Sequence, residues 1–186
     1  LNSFYSASLA VFAPLFIWGN TLSHIPWIFQ KLQMNNSTLG YLFMIFSVVQ
    51  LVFSQLAGRV IVPKLGSRFS LVIGLIVFSS TPIFFVFSNS INLFLFASVP
   101  AGIGFGIINT TATAVTSVAE NKTNKILQTY YSAFFSMGML LGGLCSGLYR
   151  YLEFNSYILF FILILFGLIS TFFVFNFGLK KQYDEI

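Results

Sequence analysis

The sequence predicts an all-α polytopic membrane protein of six transmembrane helices, and three observations carry that prediction. Only 7% of the 186 residues are charged, against 57% hydrophobic, whereas a soluble domain needs roughly 25% charged residues to cover its surface. Six apolar stretches are each long enough to cross a bilayer. The 13 formal charges, nine Lys or Arg and four Asp or Glu, lie between or beyond those stretches. A charge at the bilayer centre costs about 2.5–3.5 kcal/mol on insertion scales, so this exclusion marks the stretches as spans. The 25 Phe suit helices that are apolar all round because lipid surrounds them.

A helix of about 20 residues traverses roughly 30 Å of hydrocarbon. Span 1, residues 6–27, carries Pro14, Trp18, Asn20, Thr21, Ser23 and His24. Polar residues 30–38 (QKLQMNNST) end it and place Ser37 and Thr38 to cap span 2, residues 38–58, which holds Gln50, Ser54 and Gln55. Arg59 to Arg68, with three cations, Pro63 and Gly66, forms the next break. Span 3, residues 69–88, is almost uniformly apolar and closes at the turn Ser88-Asn89-Ser90. Span 4, residues 91–117, carries Asn109, Thr110, Thr111, Thr113 and Thr116, and the charged loop ENKTNK (120–125) follows it. Span 5, residues 127–148, has Gln128, Tyr130, Tyr131, Ser132 and Ser136; Arg150 and Glu153 sit in the connection to span 6, residues 156–179. The tail KKQYDEI is polar.

Seven of the nine cations (Arg59, Lys64, Arg68, Lys122, Lys125, Lys180, Lys181) fall on one side of the membrane, and Lys31 and Arg150 on the other. The positive-inside rule then places both termini in the cytoplasm. Polarity is uneven: spans 1, 2, 4 and 5 carry it, while spans 3 and 6 are featureless. Hydrocarbon penalises polar side chains, so the first group faces other helices or a cavity and the second faces lipid. Two polar spans followed by an apolar one, twice over, form a coarse repeat of three-helix units. Small residues supply packing faces in span 4 (Gly102, Gly104, Gly106) and span 5 (Gly138, Gly142, Ser146; Gly143, Gly147). Pro14, Pro82 and Pro100 are positioned to kink spans 1, 3 and 4.

Several chemistries are excluded by the inventory. Cys145 has no partner for a disulfide, and His24 has neither Cys nor His company for a metal site. His24 lies near the outer end of span 1 beside Trp27, where an interfacial location is expected rather than proton coupling. No cofactor is implied. The net charge of +5 belongs to basic cytoplasmic loops rather than to nucleic-acid binding. An intramembrane enzyme would need a base beside a nucleophile, or a metal, and the spans contain no Asp or Glu. There is no cleavable signal pattern, and a start at Leu1 without Met suggests a fragment.

The segment Gly58-Arg59-Val60-Ile61-Val62-Pro63-Lys64-Leu65-Gly66-Ser67-Arg68 resembles the signature that major facilitator superfamily proteins carry between helices 2 and 3. Val62 or Pro63 stands where the signature has its acid, and the spacing is one residue longer. Ser23-His24-Ile25-Pro26 with Leu39-Gly40, Gly102 to Asn109, and Tyr130 to Gly138 with Gly142-Gly143 are similar to helices 1–2, 4 and 5 of bacterial sugar-permease-like and uncharacterised members. The resemblance covers essentially all 186 residues. It implies one domain, residues 1–186, that is the N-terminal half of a twelve-helix fold, built of two inverted three-helix repeats. It also implies an inner-membrane secondary or facilitative transporter of a small polar, sugar-like solute working by alternating access. Its cavity would hold Trp18, Asn20, Gln50, Asn109, Thr113, Tyr130 and Tyr131. Gly58, Arg59, Lys64, Gly66 and Arg68 would form the cytoplasmic loop motif. Ser98 stands near the place of the helix 4 base of many proton-coupled members, and the helix 5 antiporter proline is missing; both weigh against drug/proton antiport. Expected partners are the solute, the bilayer, and either a C-terminal six-helix half or a second copy. The alternative is a homodimeric six-helix channel or structural subunit.

Overall fold

Lipid leaves backbone polar groups no partner but one another, so the spans must be helical, and they are. A computed structural model describes residues 2–177. The end of span 6 and the tail, with Lys180 and Lys181, lie outside the described residues. Among the described residues nine α-helices follow in order: α1 Asn2–Ser23, α2 Ile25–Leu32, α3 Asn36–Leu56, α4 Val62–Ser79, α5 Thr81–Val86, α6 Ile91–Phe96, α7 Ser98–Thr123, α8 Gln128–Tyr151 and α9 Ser156–Phe177. A wide π turn, Ala57–Ile61, joins α3 to α4.

Among the described residues five continuous stretches are long and apolar enough to cross a membrane. One of them, Asn36–Val86, has 51 residues. At about 1.5 Å per residue it would reach more than twice the depth of the hydrocarbon if straight. It breaks at Gly66, whose φ of 77° and ψ of 163° suit a residue without Cβ. The break expected over residues 59–68 thus narrows to one glycine, because the π turn carries helical bonding past Arg59.

Other boundaries also shift. The cap of α3 is Asn35, whose side chain accepts from the Thr38 N–H at 3.1 Å and the Thr38 hydroxyl at 3.0 Å; it is neither Ser37 nor Thr38. The asparagine reaches the orphan donor of the first turn from outside the helix. The expected charged loop at 120–125 is largely helical. Helix α7 runs to Thr123, and Glu120 turns back to accept the N–H groups of Leu127 (3.0 Å) and Gln128 (2.9 Å), stapling the start of α8.

The packing repeats. Helix α1 packs on α8, as α7 packs on α3; α7 packs on α4, as α1 packs on α9; α1 meets α7, and α4 meets α9. Exchanging the first three spans for the last three maps this set of contacts onto itself. The three-helix repeat is therefore written in the packing. Glycines make the crossings close. A Cβ on Gly142 would fall on the Phe16 carbonyl oxygen, one on Gly106 within 2.7 Å of the Gln50 oxygen, and one on Gly104 within 2.7 Å of the Gly74 oxygen. The stripe Gly143/Gly147 is different: Gly147 has nothing within 4 Å. Span 3 is not simply a lipid-facing helix either. Helix α4 buries Ser70, Leu71, Gly74 and Phe78 and leaves Phe69, Ile73 and Ile76 exposed. Helix α9 exposes Phe161, Leu165 and Phe172.

Candidate cavity between the crossing helices

Aromatic side chains converge where the two repeats meet. A cavity of about 170 Å³ is lined by Leu15 and Trp18 of α1, Phe46 of α3, Phe78 of α4, Phe105 of α7, and Phe135 and Met139 of α8. The small residues of α7 and α8 explain why these rings reach one another. Close glycine crossings bring the backbones together and leave the larger residues of the neighbouring turns to fill the middle. Trp18 lies flat on Phe46, with centroids 4.9 Å apart and an interplanar angle of 17°. Phe78 meets Trp18 edge-on at 6.2 Å, and Phe105 touches Phe46 at 6.1 Å, Phe78 at 6.3 Å and Phe135 at 6.1 Å. The walls are hydrocarbon, sulfur and ring faces. Such a lining stacks on flat apolar groups and offers a ring face to a cation, but it cannot replace the water shell of a polyol.

Of the seven residues expected from the sequence to meet a solute, only Trp18 lines this cavity. Asn109, Thr113 and Tyr131 form a neighbouring polar group between α7 and α8. The Tyr131 hydroxyl donates to Asn109 Oδ1 at 3.1 Å, and Thr113 follows Asn109 one turn along α7. Asn20 is wholly enclosed at the α1–α8 crossing, where its Nδ2 donates to the Phe16 carbonyl at 2.9 Å. Gln50 is half-buried on α3, with its carbonyl over Gly106. Tyr130 is exposed. The residues that sequence reasoning passed over are the phenylalanines. With 25 Phe in the chain, nothing in composition or spacing separates a ring on a cavity from a ring against lipid.

The loop motif is distributed along the α3–α4 junction. Gly58, Arg59 and Lys64 are exposed, and Gly66 makes the break. The Arg68 guanidinium donates to the Phe175 carbonyl near the end of α9 and lies 4.4 Å from the centre of the Phe175 ring. This ties the start of span 3 to the last turns of span 6.

The His24 ring, near the outer end of span 1 by sequence, is fully buried. Helix α2 follows it directly, and Ser146 of α8 gives the ring a partner at 2.6 Å.

Interlocked three-helix units of membrane-length helices, closed around a cavity at their shared crossing, describe a polytopic membrane protein. The chain belongs to the Major Facilitator Superfamily, whose sequence profile matches residues 7–184. It is 29% identical over 119 residues to multidrug resistance protein 2 of Bacillus subtilis (strain 168). To multidrug resistance protein 1 of the same organism it is 29% identical over 118 residues. Each match takes in 63% of this chain and spans 30% of the relative's length.

Proposed function

We propose that the chain is the N-terminal half of a cell-membrane transporter that moves lipophilic, aromatic compounds by alternating access. The carrying observation is the cavity formed by Trp18, Phe46, Phe78, Phe105 and Phe135, whose lining includes no hydrogen-bonding residue other than Trp18. The relatives' names, as multidrug resistance proteins, agree with a site that selects by shape and apolarity. Six crossings with both termini in the cytoplasm fit the break at Gly66 and the distribution of cations. The partner would be a second six-helix half, or a second copy, seated against the open faces of α3 and α8. Those faces expose Val48, Leu51 and Val52, and Leu140, Leu144 and Leu148.

A second reading, a small hydroxyl-rich solute, rests on the Asn109–Tyr131 bond beside the cavity. Exchange in proteoliposomes separates the two. Vesicles carrying the intact protein and preloaded with a planar aromatic compound are expected to take up labelled compound by counterflow, and to ignore labelled hexose. Counterflow of the hexose alone would favour the polar-solute reading and sink the aromatic one.

A further inference from the structure

Apart from the aromatic cavity, the chain buries a polar cluster where α1, α2, α8 and α9 meet. His24 occupies the one-residue turn between α1 and α2, and its carbonyl accepts the N–H groups of Trp27 (3.1 Å) and Ile28 (3.2 Å). Nδ1 of its ring lies 2.6 Å from the Ser146 hydroxyl and 3.2 Å from the Asn20 carbonyl. The other nitrogen, Nε2, is buried with no hydrogen-bond partner among the described residues, and so is Oδ1 of Asn20. Phe160 of α9 closes the site edge-on at 5.4 Å. The charged group nearest in the fold is Arg150 of α8, which donates to the Ser23 carbonyl at 3.2 Å; the elements packed here also carry the exposed Glu153, after α8, and the exposed Lys31 of α2, which lies over the Trp27 ring.

A ring nitrogen left unpaired in a closed site costs about 1–3 kcal/mol, so packing alone does not account for histidine here. Imidazole is the side chain whose ordinary titration falls near neutrality, and His24 is the chain's one histidine. We propose that His24, partnered by Ser146, is the proton-binding site through which this half couples solute movement to a proton. The proposal rests on the transporter reading above, and it sets a proton site on α1 and α8 where the helix 4 base and helix 5 proline weighed in the sequence are missing.

With α1 packed on α8, a neutral ring shares one hydrogen between Nδ1 and the Ser146 oxygen, in either tautomer. A charged ring carries a hydrogen on both nitrogens, so it leaves an Nε2–H without an acceptor and sets a cation near Arg150, an arrangement that a closed apolar interface disfavours. The charged ring belongs to an arrangement in which α8 has drawn away and water reaches Nε2. The proton comes from water on the side to which the site is open and returns to water on the other side; no other bond changes. The cavity lies on the same pair of helices. Trp18 is six residues from His24 and Met139 seven from Ser146, about 10 Å along each helix, with the Gly142 crossing between them. A solute that spreads α1 from α8 at the cavity therefore acts on the ring.

The test uses the intact protein with labelled histidine, read by NMR and assigned by difference against His24→Gln. The ring resonance is expected to titrate with pH, and its midpoint to move when a planar aromatic compound binds or when Ser146→Ala removes the partner. In vesicles, His24→Gln is expected to keep counterflow at equal pH and to lose accumulation driven by a pH gradient. A ring that holds one protonation state throughout, a midpoint that ligand leaves unmoved, or gradient-driven accumulation by His24→Gln equal to wild type would overturn the proposal. Should His24→Gln fail to fold, Ser146→Ala keeps the ring in place, and the titration decides alone. Should the wild type move no aromatic compound, the transport reading fails, while the ring's response to pH still decides whether the site takes a proton.

Discussion

At the scale of single residues, the Tyr131–Asn109 bond and the Trp18–Phe46 stack do different work. The bond joins α7 to α8 beside the cavity. Interhelical hydrogen bonds in membranes contribute about 0.6 kcal/mol on average, and up to about 1.7. Tyr131→Phe should therefore lower unfolding stability in detergent by about that amount and leave affinity for aromatic compounds unchanged. A loss of aromatic affinity with stability intact would move Tyr131 into the binding surface. The stack is the reverse case. Its planar faces lie at the cavity wall, and aromatic pairs contribute about 0.5–1.5 kcal/mol beyond area burial. Trp18, which the resemblance put in a cavity, lines this one. Phe46, Phe105 and Phe135 were not legible, because each is one phenylalanine among many. The burial of the His24 ring was hidden for a related reason: the sequence does not state that Ser146 of α8 lies opposite it.

At the scale of elements, glycine spacing has meaning only when the opposing surface is known. Both stripes on α8 have the same four-residue period, yet Gly138 and Gly142 lie on the α1 backbone while Gly147 faces open space. Overpacking a tight crossing costs about 1–3 kcal/mol. Gly142→Leu should thus destabilise the fold by at least that much, whereas Gly147→Ala should stay within about 0.5 kcal/mol of wild type. Thermal unfolding in detergent compares them directly, and equal losses would mean that α8 does not cross α1 at Gly142. The period of the pattern was visible in the sequence; the partner was not, because the sequence does not state which helix lies opposite. Caps and ends were similarly hidden. Asn35 acts from outside the apolar run, and Glu120 bonds across a turn to Leu127 and Gln128.

At the scale of the whole molecule, the segregation of charge and apolarity made the fold class legible, because hydrocarbon tolerates few alternatives. The polar/polar/apolar order also anticipated the repeat, which the packing of α1 on α8 and α7 on α3 displays. Topology remains a prediction with a direct check. On a Cys145→Ser background, Asn124→Cys should react with an impermeant thiol reagent only from the cytoplasm, and Asn155→Cys only from outside. Labelling of both from one side would refute the six-crossing arrangement. The central claim, an aromatic solute in an aromatic cavity, is tested most directly by titrating the intact protein while reading Trp18 fluorescence on a Trp27→Phe background. A planar aromatic compound should quench it saturably, Phe46→Ala should weaken that response by about tenfold or less, and hexoses should leave it unchanged. Saturable quenching by a hexose, with none by any aromatic compound, would contradict the account.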